Sequence, residues 1–323
     1  MLLDRETILR ATRAVYAAMP ATPQYCWPLL SARTGAEVWL KHENHTPIGA
    51  FKIRSALTYF EHLCDSSARP KCAVAATRGN YGQAVAFAAR RKGIEPVLYV
   101  PHGNSVSKNR AMRAFGAMLV EYGDDFEQAR CESARWAEAN GHCLIPSFHP
   151  WLLEGTATLY YELLAAAPPI DIVYVPIGMG SGICGAAAAR AALGSSTEIV
   201  GVCSAHARAQ YDAFQRREYV TSPTSTRIAD GLAVPAPDPS ALAIIWQEAS
   251  RIVMVTDEEV AAAMRAIYDD THNIAEGGGA AGVAAMLQES NRIKGRRVAA
   301  AITGGNVDRE LFAEVLSGGS ELL

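Results

Sequence analysis

Short apolar runs alternate with longer amphipathic stretches along most of the chain. Strand-like runs are CAVAA (72–76), PVLYV (96–100), AMLVEY (117–122), DIVYVP (171–176), EIVGVC (198–203), RIVMVT (251–256) and RVAAAI (297–302). Between them, apolar positions at helical spacing predict helices near 80–92, 106–115, 125–140, 155–166, 182–193, 206–217, 257–269 and 279–294. Gly93, Gly116, Gly141, Gly194 and Gly295 stand where helices should stop, since glycine enters the left-handed region without a Cβ penalty. Asp257, Glu258 and Glu259 before an Ala-rich run read as a helix start, with acids near the positive end of the dipole. Strands and helices alternating in this way predict an α/β protein with open, twisted, mostly parallel sheets flanked by helices on both faces. RPK (69–71) and SFHPW (147–151) are the candidate breaks. TSPTSTRIADGLAVPAPDPS (221–240) is the longest irregular stretch, and a loop of that length is usually functional or mobile.

Composition narrows the possibilities. The chain has 323 residues, 50% hydrophobic and 20% charged, and its 30 basic and 33 acidic residues leave a net charge of −3. That balance offers no electrostatic footprint for nucleic acid and no polybasic patch for a membrane. No run reaches the ~18 apolar residues of a membrane span, and MLLDRETILRATRAVY carries charges where a signal peptide needs an apolar core. Seven scattered cysteines (26, 64, 72, 131, 143, 184 and 203) without a C-x-x-C suit reduced thiols in a cytoplasm better than disulfides or a zinc site. The expectation is an enzyme of about two domains.

Four segments carry candidate chemistry. In KHENHTPIGAFKIR (41–54), Lys52 follows Phe51 after a Pro-Ile-Gly turn. A lysine partly desolvated there becomes a nucleophilic amine; the alternative is a surface lysine on an amphipathic helix. In ATRGNYGQAVAFAAR (76–90), a Gly-flanked turn opens a helix whose N–H groups can take an anion, with Arg78 as a further donor. Alternatively, Asn80 merely caps that helix. In VYVPIGMGSGICGAAAAR (173–190), Gly180, Gly182 and Gly185 fit G-x-G-x-x-G, which raises a dinucleotide site. The acid that should end the next strand is missing near Cys203, and Glu198 lies at the wrong end, so a mononucleotide-like or cofactor phosphate is favoured over NAD, with a purely structural glycine turn as the alternative. AAAITGGNVD (299–308) ends a strand in Thr303-Gly304-Gly305-Asn306, either a ligand-facing hydroxyl or an ordinary turn.

Taken in this order, the four segments resemble the fold-type II enzymes of pyridoxal 5′-phosphate, in the serine/threonine dehydratase and serine racemase family. The resemblance runs from roughly residue 8 to 310, and IADGLAV (228–234) and Glu276-Gly277-Gly278-Gly279 also match family segments. KHENHTPIGAFK, ATRGNYGQ and PIGMGSGICG are most similar in wording to the dehydratases of hydroxyectoine utilisation. The resemblance implies that Lys52 holds the cofactor through its amine and later acts as base at Cα, with Phe51 packed near the ring. It implies Asn80 at the 3′-oxygen and backbone N–H groups of Gly178, Met179, Gly180, Ser181 and Gly182 around the phosphate. Glu276 joins the cofactor site, and Thr303 faces the pyridine nitrogen. A hydroxyl there leaves that nitrogen mostly neutral, which suits elimination better than transamination. Thr77, Arg78, Asn80 and Tyr81 would bind the substrate carboxylate. The implied reaction turns a β-hydroxy L-amino acid, threonine- or serine-like or larger, into a 2-oxo acid and ammonia.

Departures from the family pattern refine these expectations. Ala50 replaces the serine before Phe-Lys, and Tyr81 replaces a histidine. Arg78 stands where serine racemase has its reprotonating serine, and arginine, with a pKa above ~12, is a poor proton shuttle. Dehydration with little racemisation is therefore expected. Arg78 either meets a second carboxylate on the substrate or pairs with a protein acid such as Glu43 or Glu276. Cys203 and Arg208 occupy the family's magnesium positions, so no metal is expected there. A β-replacement enzyme or racemase on the same fold stays open, as does, more remotely, an NAD-dependent oxidoreductase. The family implies a homodimer. It also implies a discontinuous large cofactor-binding domain, residues 1–70 and 150–323, around a small domain of residues 71–149. No regulatory domain follows, so the chain reads as the catalytic unit alone.

Overall fold

The computed structural model of the protein describes residues 2–65 and 69–318. Ten strands form two sheets: β1 (Gln24–Cys26), β2 (Glu37–His42), β3 (Cys72–Ala76), β4 (Glu95–Val100), β5 (Met118–Glu121), β6 (Cys143–Leu144), β7 (Ile172–Pro176), β8 (Glu198–Ser204), β9 (Arg251–Val255) and β10 (Arg297–Ile302). The larger sheet has the order β1-β2-β10-β7-β8-β9, parallel except for β1, and the smaller has the order β5-β4-β3-β6, all parallel. Every strand read from the sequence is present within one or two residues.

Alternating side chains explain why helices cover both faces. In the large sheet, Tyr174, Val200 and Val202 pack with residues of helices Asp257–Thr271 and Gly277–Gln288. Val173, Val175 and Ile199 face the other way, onto helices Pro150–Ala166 and Ser181–Leu193. The small sheet divides likewise: Val74, Val97 and Tyr99 meet Ala129 and Ala137 of helix Phe126–Ala139. Ala73, Ala75 and Leu98 meet helices Lys52–Asp65 and Asn80–Arg91. Each fully buried Val or Leu contributes ~1.5–3 kcal/mol, so this two-sided burial is what makes the strands near-continuous apolar runs.

Several expected boundaries need correcting. The helix expected over 155–166 starts at Pro150, because His149 Nδ1 accepts from Trp151 N–H and Pro150 sits in the first turn. The helix expected from Asp257 does begin there, held by a Thr256/Glu259 capping box. The irregular 221–240 stretch contains a 3-10 turn, Asp230–Leu232, and pairs with Ala207 through Thr224. Strands β1 and β2 and helices Arg5–Tyr16, Pro28–Thr34, Pro239–Glu248 and Arg309–Ser317 were not anticipated. β2 escaped notice because it buries Lys41 and His42, which break its apolar run.

The topology also places the site. The helix after β7 packs on one face of the large sheet, while Val315, in the helix after β10, packs on the other. The loops leaving the carboxyl ends of these adjacent strands therefore diverge, which opens the crevice in which such sheets bind ligands.

Candidate active site

Lys52 is the first residue of helix Lys52–Asp65. The turn before it is fixed by its own side chains and by the loop after β10. Thr46 Oγ1 accepts from Ala50 N–H and donates to Ala50 C=O, both at 2.9 Å. Phe51 N–H donates to Thr303 C=O at 2.9 Å, and Gly305 N–H to Gly49 C=O at 2.9 Å. Gly49 takes φ +70°, a left-handed turn position, and a Cβ there would also run into Asn306 Oδ1 at 2.7 Å. Lys52 and Thr303 are thus placed by one stitched pair of loops.

Beneath Lys52 lies a buried ionic network that holds its helix. Arg54, fully buried, donates from Nε to Glu43 (2.7 Å) and from Nη1 to Glu162 (2.6 Å) and Thr158 (3.0 Å). Lys41 Nζ meets Glu162 at 2.8 Å and Thr22 C=O at 2.8 Å. Burial pushes the Glu162 carboxyl upward, but the hydrogen bonds and charges of Arg54 and Lys41 hold it below its ordinary range.

Lys52 itself has no ion-pair partner among the described residues, and its Nζ lies 4.7 Å from the centroid of the Phe51 ring. Burial lowers its pKa from 10.5 to about 8, only partly offset by the charge of Glu276. An amine in that state is a competent nucleophile and base near neutral pH.

Asn80 does not cap its helix: Gly79 is the cap residue, without a side-chain bond, and Asn80 begins the helix. Its side chain instead donates to Glu276 Oε1 at 2.6 Å and accepts from Asn306 Nδ2 at 2.8 Å, while Asn306 also reaches Ile48 C=O. Burial raises the Glu276 carboxyl to about 7, against the opposing influence of Lys108, Asn80 and Lys52. Glu276 N–H is fixed to Gly304 C=O at 3.0 Å.

Two sets of backbone N–H groups are left without an acceptor among the described residues. The first is Gly178, Met179, Gly180, Ser181 and Gly182, at the start of helix Ser181–Leu193. Its glycines are needed: a Cβ on Gly178 would sit 2.3 Å from Gly231 C=O, and Gly180 has φ +99°. The second is Arg78, Asn80 and Tyr81, since Thr77 Oγ1 accepts only from Gly79 (3.0 Å) and Gly82 (2.9 Å). Acceptor-free amides at a helix start make an anion site.

Arg78 is exposed and pairs with no acid among the described residues, so of its two alternatives the bridge to Glu43 or Glu276 is not formed. Those two carboxylates are committed to Arg54 and Asn80. The Tyr81 hydroxyl is used up on Pro146 C=O, leaving only its amide for a ligand. Cys203 is buried, its thiol pushed up to about 12, and Arg208 pairs with Asp212 at 3.2 Å. Glu198 begins β8 and bridges to Arg251, so it is structural. Asn306, Arg54 and Asp230 stand inside segments singled out in the sequence but received no role there, and Lys108 lies outside all of them. For Lys108 the available signal was Gly79, where a Cβ would lie 2.6 Å from Lys108 Cδ.

These groups fit pyridoxal phosphate: five acceptor-free amides match a phosphate, and an unpaired lysine amine of lowered pKa matches a carbonyl carbon. Comparison with known proteins agrees. The L-threonine ammonia-lyase of Thermotoga maritima is 30% identical over 98% of this chain and 79% of its own length. The L-threo-3-hydroxyaspartate ammonia-lyase of a Pseudomonas species is 31% identical over 96% of this chain and 98% of its own. The structure of maize serine racemase superposes with a TM-score of 0.90 at 27% identity, covering 99% of both chains. A family profile described as pyridoxal-phosphate dependent enzyme matches residues 17–304, and the chain belongs to that family.

Proposed function

We propose that this protein eliminates water from a β-hydroxy L-amino acid and releases an enamine, whose imine tautomer takes up a water and hydrolyses to a 2-oxo acid and ammonia. One observation carries the reading: an amine without a carboxylate partner, Lys52, and a phosphate-sized set of free amides both lie at carboxyl ends of the large sheet. Bound pyridoxal phosphate supplies an electron sink for the pair left at Cα when its proton departs.

The chain's own groups do the rest. Lys52 Nζ would hold the cofactor and, with substrate bound, would take the proton from Cα; a pKa of about 8 suits a base near neutral pH. The amides of 178–182 hold the phosphate. Asn80 Nδ2, steered by Glu276 and Asn306, orients the cofactor's ring oxygen. Thr303 would offer the ring nitrogen a hydroxyl rather than a carboxylate, and a neutral ring nitrogen is a weaker electron sink, which suits elimination better than transamination. The amides of Arg78, Asn80 and Tyr81 take the substrate carboxylate. The Arg78 guanidinium, unpaired and exposed, takes a second carboxylate or polar end of the substrate, as L-threo-3-hydroxyaspartate would present. A guanidinium is a poor proton shuttle, so racemisation stays slow.

In this reading residues 71–149, with their own sheet, form the small domain, and 1–70 with 150–323 form the large one; residues 66–68 and 319–323 lie outside the described residues. Seven free cysteines support a reducing compartment, the cytoplasm, and the homodimer implied by the family belongs to the same reading. No helix among the described residues is long and apolar enough to cross a membrane. The test is ammonia and 2-oxo acid release from serine, threonine, 3-hydroxyaspartate and phenylserine, with the visible spectrum recorded. Release from at least one, with 3-hydroxyaspartate preferred, is expected. No release from any of them by a protein that binds the cofactor overturns the reading.

A further inference from the structure

Lys108 lies outside every motif read from the sequence, yet three parts of the site converge on it. It sits in the first turn of helix Val106–Ala114, beside the small sheet, where its N–H donates to the cap residue Ser105 at 3.2 Å. Its aliphatic stem crosses the Gly79 turn so closely that any Cβ at Gly79 would collide with it. Its Nζ reaches Asp230 Oδ2 at 3.4 Å, on the loop whose Gly231 carbonyl abuts the phosphate cradle at Gly178. Only 13% of the Lys108 side chain is exposed, against 51% for Asp230.

The same helix is tied to the large sheet's side by a second contact. Asp308 stands at the cap position of helix Arg309–Ser317 but makes no side-chain bond to its own helix. Its carboxylate instead accepts from Ser105 Oγ at 2.8 Å and from Ser107 Oγ. A capping acid of one helix therefore serves the N-terminus of another, across the gap between the two sheets. Charged groups around Glu276 are Lys108, Lys52 and Asp230, and Lys108 has the largest favourable influence on its charged form.

We propose that Lys108 is a positioning residue: it clasps the four-stranded unit onto the six-stranded one and, by packing over Gly79, holds the neighbouring Asn80–Glu276 hydrogen bond in place. Asp230 anchors its Nζ, and Asp308 anchors the start of its helix through Ser105 and Ser107. The clasp rests on the cofactor-site reading above, but its test does not need turnover.

The experiment titrates the visible spectrum of the holoenzymes of wild type, Lys108→Met, Lys108→Arg and Asp230→Asn, and follows kcat/KM in parallel. Met keeps the stem over Gly79 and removes the charge. The transition belonging to Glu276, near pH 7 in the wild type, should rise by about one pH unit in Lys108→Met and return in Lys108→Arg. It should fall in Asp230→Asn, because that carboxylate opposes the charge on Glu276. Opposite signs from the two variants are not what a mere packing role produces. Asp308→Asn should raise KM several-fold, about what one partly buried charge-assisted contact is worth, with kcat little changed. If Lys108→Met leaves the titration in place, or both variants move it the same way, the proposal is wrong. Should Lys108→Met not fold, Asp230→Asn and Lys108→Arg still decide the sign. A wild type that shows the titration but releases no ammonia would instead sink the elimination reading and leave the clasp standing.

Discussion

Removing the Lys52 charge should stabilise the apoprotein, in a way that depends on pH. Burial depresses the folded-state pKa from 10.5 to about 8. At pH 7 both folded and unfolded chains carry the proton, and the folded chain bears the full cost of keeping the charge desolvated. The gap, at ~1.4 kcal/mol per pH unit, amounts to about 3 kcal/mol, an upper figure because the residue is partly accessible. Between pH 8 and 10.5 the unfolded chain binds more protons than the folded one, so wild-type stability rises through that window. Lys52→Met has no such titration. Urea unfolding of the two apoproteins at pH 7 and above pH 10 should therefore show the variant ahead by about 2–3 kcal/mol at pH 7. That lead should shrink at the higher pH. The slope across the window matters more than the offset, because Met also adds apolar burial. A difference between the two proteins that does not change between pH 7 and pH 10.5 would refute the reasoning.

Three further outcomes follow from particular contacts. Gly178→Ala puts a Cβ 2.3 Å from Gly231 C=O, an overpacking of ~1–3 kcal/mol, so cofactor affinity measured by spectral titration should fall about tenfold or more. Arg54→Met leaves the Glu43 and Glu162 carboxylates buried without their main partner and should cost ~3–5 kcal/mol in urea unfolding. Glu162, whose folded pKa is depressed, contributes stability above its ordinary value of 4.5 and loses it as pH falls, so this cost should narrow in acid. Arg78→Ala should lower kcat/KM for 3-hydroxyaspartate by ~10-fold or more while changing threonine little; equal loss on both would remove the second-carboxylate role.

The central strands and most helices were legible because sheets buried on both faces demand long apolar runs, as in Val298–Ile302. What was not legible is what the large sheet's outer edge does with charge. β2 carries Lys41 and His42 inward, and Glu43 follows, fully buried: Lys41 meets Glu162 and Thr22 C=O, His42 accepts from Trp27, and Glu43 accepts from Arg54 and Thr22. No local pattern announces such partners. The site divides in the same way. Lys52, Asn80, the 178–182 loop and Thr303 lie on turns after strands, where glycine and polar residues make their own signal. Lys108 and Asp308 act across chain separations that spacing rules do not reach, and Asn306, though inside a singled-out turn, has its partner Asn80 far away in the chain. Asn80 shows the converse: its local reading as a cap was reasonable, and its partners Glu276 and Asn306 overrode it.

The G-x-G-x-x-G stretch shows why a motif alone did not separate the chemistries. Gly180 is required by its positive φ, whereas Gly185 is required because a Cβ would meet the Thr156 and Ala157 backbone at 3.1 Å. The outer glycine thus serves the packing of helix Ser181–Leu193 on helix Pro150–Ala166, and any phosphate-binding strand–turn–helix needs the same pair. What differs is the neighbouring strand. A dinucleotide site continues along β8 to an acid at its carboxyl end, but here β8 ends in Cys203 and Ser204. The crevice instead opens toward β10 and β2, which deliver Thr303 and, nine residues of tight turn beyond Glu43, Lys52. The direction in which the site leaves the glycine loop, more than the loop itself, assigns the cofactor.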